Sequence, residues 1–276
     1  MNKIVCATDF TRNSIAALQY AFKMSNLLKK ELIVLNICNP EEDDEYHSAS
    51  DNQAILDTRV QLLQEYCSIH LKANFDSLQI RAIIKKGKNI PKKICNFIKD
   101  LDIAFLIMGT HGNSPFKAKN FGSITNAMIA ASTFPILAIP PTFEFINLET
   151  IVYTSDFEED DIYNLNQIVK IFAPLKISIV ILHIYAYEEY LTKERLIGFQ
   201  TLLAEKVALD NFEFKLIFSE NILKTLNEYL LTTNTDMVAM MERKNKSEFN
   251  AGSHQDLVKK MDNITSIPLL SFNTVY

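Results

Sequence analysis

The sequence predicts an α/β protein made of two tandem open parallel sheets, each covered by helices on both faces. Two observations carry this expectation. Short, almost wholly apolar runs alternate with longer stretches of helical periodicity, without the period-2 alternation of a sheet that has one wet face. After Pro140-Pro141 the pattern starts again. Ile151-Val152-Tyr153-Thr154-Ser155-Asp156-Phe157 resembles Ile4-Val5-Cys6-Ala7-Thr8-Asp9-Phe10 at an offset of 147 residues, and the same offset carries Leu35-Asn36-Ile37 onto Leu182-His183-Ile184. Thr133-Phe134-Pro135-Ile136-Leu137 returns as Ser266-Ile267-Pro268-Leu269-Leu270 at an offset of 133, so the second copy is shorter in its middle. The chain therefore reads as a duplicated α/β unit, with domains 1–141 and 148–276.

Ile4 to Thr8 is a short apolar run ending at Asp9-Phe10-Thr11, the first strand. From Ser14 an amphipathic helix follows, with Ile15, Leu18, Phe22 and Leu27 expected to face inward and Lys29-Lys30 near its end. Leu32 to Ile37 is the second strand, and the acidic run Glu41 to Glu45 a solvated loop. A helix over 54–71 would bury Ile55, Val60, Leu63, Cys67 and Leu71. Ile80 to Ile84 is the third strand. Gly87 turns the chain, and Asn89 caps a helix that tolerates Pro91 in its first turn. Ile103 to Met108, a helix over 123–132 and the strand Ile136 to Ile139 complete the first copy.

With 276 residues and 48% hydrophobic composition the chain can bury a sizeable core. Its net charge of −5 comes from mixed signs with no sustained basic block, which argues against a nucleic-acid surface. No apolar run reaches the roughly 20 residues of a membrane span, and Met1 leads straight into a strand without a signal-like segment. Cys6, Cys38, Cys67 and Cys95 form no Cys-x-x-Cys pair, so reduced thiols in a soluble, cytoplasmic protein are expected.

The chemistry concentrates in Met108-Gly109-Thr110-His111-Gly112 and in Gly122-Ser123. The protein has six glycines, and three of them fall between positions 109 and 122. Glycines after a buried strand, then Gly-Ser opening a helix, form a plausible cradle for phosphate oxygens: backbone N–H groups approach closely and the helix N-terminus favours an anion. Taken singly, Gly109 and Gly112 could equally serve a sharp strand exit, and Asp9 could equally cap the helix after strand one. His111 has no His, Cys or carboxylate at triad or metal-site spacing and reads as a loop side chain. Lys117 and Lys119 could neutralise phosphate or be ordinary solvated lysines. Gly87-Lys88 lacks the spacing of a Walker A loop, and neither a Gly-x-Gly-x-x-Gly fingerprint nor a Ser-Gly-Gly-x-Asp loop occurs.

Asp9, Phe10, Ser14, Ala17 and Leu18, the Met-Gly-Thr-His-Gly segment, and the Gly-Ser pair beyond it resemble the universal stress protein family in its tandem two-domain form. The family's nucleotide signature is Gly, two residues, Gly, nine residues, Gly, then Ser or Thr. Gly109, Gly112, Gly122 and Ser123 match it without a gap. The resemblance spans the chain, strongly in the first half and weakly in the second. It implies an adenine nucleotide alpha hydrolase-like sheet of order 3-2-1-4-5, with the ligand outside the strand C-termini near the switch between strands 1 and 4. It further implies ATP, with Mg²⁺ on its phosphates, held by Gly109, Gly112, Gly122 and Ser123. Asp9 would face the nucleoside half, and the backbone of Ile37 would border the adenine.

The second copy keeps Asp156 but reads Met240-Met241-Glu242-Arg243-Lys244 where the first has its glycine segment, and Gln255-Asp256 where it has Gly122-Ser123. An aspartate there would repel phosphate. Gly252-Ser253 could be aligned instead by a three-residue shift, but the leading glycines would still be missing. The expectation is a nucleotide site in the first domain alone, with the second domain structural. The edge strands Ile136 to Ile139 and Leu269 to Phe272 would then pair the domains about a pseudo-two-fold axis, and a further homodimer is compatible with this. Three functions remain open: a stress-response sensor or regulator that binds ATP, a slow ATPase or autophosphorylating enzyme using Ser123 or Thr110 as acceptor, and a scaffold for protein partners.

Overall fold

The structure, a computed structural model, describes residues 1–39, 52–110, 123–186, 189–208, 212–242 and 266–273. It divides into two compact units, Met1–Met128 with Ile136–Phe145, and Ile129–Pro135 with Ile146–Tyr276.

The first copy runs β1 (Lys3–Ala7), α1 (Arg12–Leu28), β2 (Glu31–Cys38), α2 (Asn52–Leu71), β3 (Ile80–Lys86), α3 (Ile90–Ile98), β4 (Ile103–Gly109), α4 (Ser123–Ala131) and β5 (Ile136–Ile139). Its strands are all parallel and lie in the order β3-β2-β1-β4-β5, an open sheet of the expected topology. Strands β1 and β4 are central and buried on both faces, which is why they read as unbroken apolar runs. Ile4, Val5, Cys6, Phe105, Leu106 and Ile107 have no exposed surface. Each such aliphatic side chain contributes roughly 1.5–3 kcal/mol relative to exposure.

Helix α1 meets this sheet through Ser14, Ala17, Leu18, Ala21, Met24, Ser25 and Leu28. This corrects the expected inward face. Leu18 is buried, but Ile15 and Phe22 are only half-buried and Leu27 is on the outside. The alanines and serines mark the true seam, because small side chains let the helix axis settle close to the strands. In α2, Ile55, Leu63 and Cys67 are buried, while Val60 and Leu71 are half-buried. Asn89 caps α3, accepting from Lys92 N at 3.1 Å.

The second copy runs β6 (Thr150–Thr154), α5 (Glu159–Phe172), β7 (Ser178–Tyr185), α6 (Glu189–Lys206), β8 (Phe212–Phe218), α7 (Ile222–Thr232), β9 (Met237–Glu242) and β10 (Leu269–Asn273). Its parallel strands lie in the order β10-β9-β6-β7-β8, the same topology with β6 in the place of β1. The likeness reaches the caps: Asn221 accepts from Lys224 N at 3.1 Å, as Asn89 does from Lys92.

Register gives the same correspondence between the copies as the sequence alignment. Gly109 lies beside Ile139 on β5, and Met241 lies beside Phe272 on β10, so Met241 takes the position of Gly109. Met240 and Met241 do not follow the fourth strand of the second copy but belong to it, and both are buried. Their side chains prolong the apolar run, and β9 continues to Glu242.

All four cysteines are thiols, with Cys6, Cys38 and Cys67 buried and Cys95 half-buried. Among the described residues no helix is long and apolar enough to cross a membrane.

Candidate functional site

The exits of β1, β2 and β4 converge with the start of α4 on a cleft of about 120 Å³. Its walls include Asp9, Asn36, Ile37, Gly109, Ser123 and Thr125, with Ile90 and Ile94 of α3 forming an apolar side. Four of the six site residues expected from sequence, Asp9, Ile37, Gly109 and Ser123, thus line one cleft. Gly112 and Gly122 lie outside the described residues, as do His111, Lys117 and Lys119. Beyond Ile90 and Ser123 an open depression of about 480 Å³ adjoins the cleft, bounded by Lys88, Asn89 and Pro91. Its position outside the strand C-termini, between the first and fourth strands, is where open α/β sheets place ligands.

The turn from β1 into α1 forms the cleft's floor. Phe10 sits there in the left-handed region at φ 62°, an uncommon conformation for a bulky side chain. Its N–H donates to Thr8 Oγ1 at 3.2 Å. Ser14 locks the turn from the helix side, and its proton positions can be assigned. Ser14 Oγ lies 2.9 Å from Thr11 O, and a carbonyl only accepts, so the serine hydrogen goes there. Thr8 Oγ1 at 2.9 Å and Tyr66 OH at 2.8 Å must then both donate to Ser14 Oγ. The serine hydroxyl is saturated and serves the turn. Burial pushes the Tyr66 phenol up, against the opposing effect of its hydrogen-bonding neighbours Ser14 and Thr8, so the phenol stays uncharged at neutral pH.

Asp9 belongs both to the turn and to the cleft wall. Its Oδ1 accepts from Thr11 N at 3.0 Å and Thr11 Oγ1 at 2.6 Å, capping the turn. The side chain is exposed at the cleft's edge, and Oδ2 has no partner among the described residues.

At Gly109 the constraint is room rather than handedness, for its φ is not positive. A Cβ there would lie 2.9 Å from the backbone oxygen of Asn13, in the first turn of α1. The glycine lets the exit of β4 pass against α1, and Thr125 Oγ1 ties that exit to α4 by donating to Gly109 O at 2.9 Å.

Sequence reasoning missed Asn36, Ile90, Ile94 and Thr125. Asn36 carried a signal, being an amide within the apolar run Leu32 to Cys38. It is 5% exposed, and its Nδ2 donates to Thr8 O at 2.8 Å.

The second copy builds the same turn from different chemistry. Phe157 is left-handed at φ 58°, with its N–H on Ser155 Oγ at 2.9 Å. His183 takes the position of Asn36, its Nδ1 2.7 Å from Ser155 O, which makes Nδ1 the donor. Asp161 takes the position of Ser14 and is fully buried. Its carboxylate accepts from Tyr153 OH at 2.8 Å, Ser155 Oγ at 2.7 Å, Asp156 N at 3.1 Å and Glu158 N at 3.2 Å. An internal carboxylate thus already holds the donors at this strand exit. A cavity of about 460 Å³ in this copy lies by α5, among Glu159, Asp160, Tyr163 and Lys206. It is larger than the first-copy cleft and takes in Met241 of β9 and Asn273 of β10, but its Glu159–Lys206 pair at 2.9 Å is exposed and its lining includes no residue of β6 or β7. Arg243, Lys244, Gly252-Ser253 and Gln255-Asp256 lie outside the described residues. Among the described residues no group of three or more His, Cys, Asp or Glu is placed to hold a metal ion.

With this geometry established, comparison with known proteins gives three results. A family model described as the universal stress protein family matches residues 1–140. No curated protein sequence matches. Among solved structures, a universal stress protein from Archaeoglobus fulgidus DSM 4304 is similar over 99% of this chain and 98% of its own, with TM-score 0.69 and 17% identity. A protein from Pseudomonas aeruginosa UCBPP-PA14 is similar over 99% and 93%, with TM-score 0.62 and 12% identity. The cytoplasmic domain of a prokaryotic cation chloride cotransporter is similar over 98% and 94%, with TM-score 0.55 and 11% identity. At these identities the likeness is one of fold.

Proposed function

This chain belongs to the universal stress protein family, and on that premise we propose that it binds ATP, with Mg²⁺ on the phosphates, in its first copy alone and acts as a stress-response sensor or regulator. One observation carries the reading: the cleft at the exits of β1, β2 and β4 brings Asp9, Ile37, Gly109 and Ser123 together. In it the nucleoside lies against Ile37 and the apolar side of α3, and Asp9 Oδ2 accepts from a sugar hydroxyl or an amine. The phosphates rest on backbone N–H groups at the start of α4, where the helix dipole and Ser123 Oγ favour an anion. Gly112 and Gly122 belong to this cradle by their place in the motif.

The one-site reading is supported by the second copy's floor. Asp161 puts a carboxylate where the first copy has a hydroxyl, and Met241 puts a side chain where it has Gly109. Both work against a polyanion.

Titration calorimetry with Mg-ATP on the full chain tests this, together with mass spectrometry of small molecules that co-purify. The expected result is one nucleotide per chain. Two per chain, or none, overturns it.

A further inference from the structure

Asn36 is not accounted for by its structural contact. Its Nδ2 is held by the carbonyl of Thr8 at 2.8 Å, and because a carbonyl only accepts, the amide cannot be turned the other way. This leaves Oδ1 as the second polar atom of a side chain that is 95% buried. Among the described residues Oδ1 has no hydrogen-bond partner, it has essentially no solvent contact, and the residue belongs to the wall of the first-copy cleft. A buried acceptor without a donor is costly, and a native fold that keeps one needs a reason. The apolar alternative is close at hand, since Leu35 and Ile37 flank the position in the same strand.

The second copy shows that the structural half of this job does not require an asparagine. His183, at the equivalent position, makes the same bond across the strand exit, Nδ1 to Ser155 O at 2.7 Å. What histidine cannot reproduce is an amide oxygen fixed beside that bond.

We propose that Asn36 is a specificity-determining residue of the first-copy cleft, its side-chain carbonyl accepting a hydrogen bond from an N–H or O–H donor on the nucleoside end of the bound ligand. This rests on the reading of the cleft as a nucleotide site and narrows it. Ligands that present a donor there are selected, and analogues that lack it are rejected, because binding them would seal the orphan acceptor away without a partner.

The test measures affinity of the full-length protein for three probes: ATP, the triphosphate of purine riboside (which lacks the exocyclic amine) and 2′-deoxy-ATP (which lacks one sugar hydroxyl). In the wild type, one of the two analogues should bind about tenfold or more weaker than ATP. Which one it is identifies the donor. Asn36→His, which restores the bond to Thr8 O but not the amide oxygen, should bind ATP more weakly and bring that preference to within about threefold. Thermal melts of the variant separate folding from recognition, and the wild-type panel needs no variant. If the wild type binds all three probes equally, or if Asn36→His keeps the full preference, the role of Asn36 is overturned while nucleotide binding stands. If no probe binds the wild type, both readings fall.

Discussion

Two copies of one turn, built alike in backbone, differ in the group that closes them. In the first copy the hydroxyl of Ser14 takes bonds from Thr8 and Tyr66; in the second the carboxylate of Asp161 takes bonds from Ser155, Tyr153 and two backbone N–H groups. The fourth strand differs in the same sense, with Gly109 leaving room beside α1 and Met241 occupying the matching place. A duplicated fold can hold its topology while one turn is closed by a hydroxyl and the other by a buried carboxylate. The sheet needs only apolar strands and a closed turn, and both solutions supply these.

The sharpest way to break this comparison is to give the first copy the residue of the second. Gly109→Met forces a Cβ to within 2.9 Å of Asn13 O. It should abolish measurable ATP binding in calorimetry and lower stability by about 1–3 kcal/mol, as overpacking does. Retained affinity would show that the glycine is not needed for the cleft.

The closing groups come next. Asp161→Ala leaves four donors without their acceptor and should cost about 3 kcal/mol in denaturant unfolding. Ser14→Ala removes neutral hydroxyl bonds and should cost about 1–2 kcal/mol. Equal losses would mean that the charge on Asp161 adds nothing.

A smaller contrast appears in alkali, because every cysteine lies in the first copy. Burial pushes the Cys67 thiol from 9.0 up to about 12, and Cys6 is pushed up as well, by burial and by the nearby Cys67. The unfolded thiols ionise first as pH rises, so this stabilisation is whole below about pH 9 and is lost progressively between about 9 and 12. Hydrogen exchange at rising pH should show the first copy loosening before the second, and Cys67→Ala should flatten the trend. The smallest effect should be no contrast at all: Asn89→Ala and Asn221→Ala remove equivalent caps, and each should lower stability by about 1 kcal/mol in urea.

The fold was legible because buried parallel strands announce themselves as apolar runs. Ile136–Ile139 emerges with the limits read from sequence, and the other first-copy strands shift by one or two residues at their ends. The inward face of α1 was misread because large residues such as Leu27 were weighted over the alanines and serines that make close contact. At the site, residues with a spacing pattern could be found. Asn36 stood out only as an amide in an apolar run and Asp161 not at all, because what they do depends on a carbonyl at a neighbouring strand exit or on a ring of donors that only the folded turn assembles. The replacement of Ser14 by Asp161 was available at the offset of 147 residues, but nothing in either segment by itself marks the position as the one that closes the turn.

The left-handed phenylalanine in each turn has a mechanical consequence. The ring of Phe10 packs edge-on against Tyr66 of α2 with centroids 5.4 Å apart, and that of Phe157 lies 5.3 Å from Phe199 of α6. Each ring is therefore a lever arm between a surface helix and the strand exit. A rotation of α2 would press on the ring of Phe10, immediately beside Asp9. The turn under the cleft thus rests on a helix that supplies none of the described residues lining the cleft.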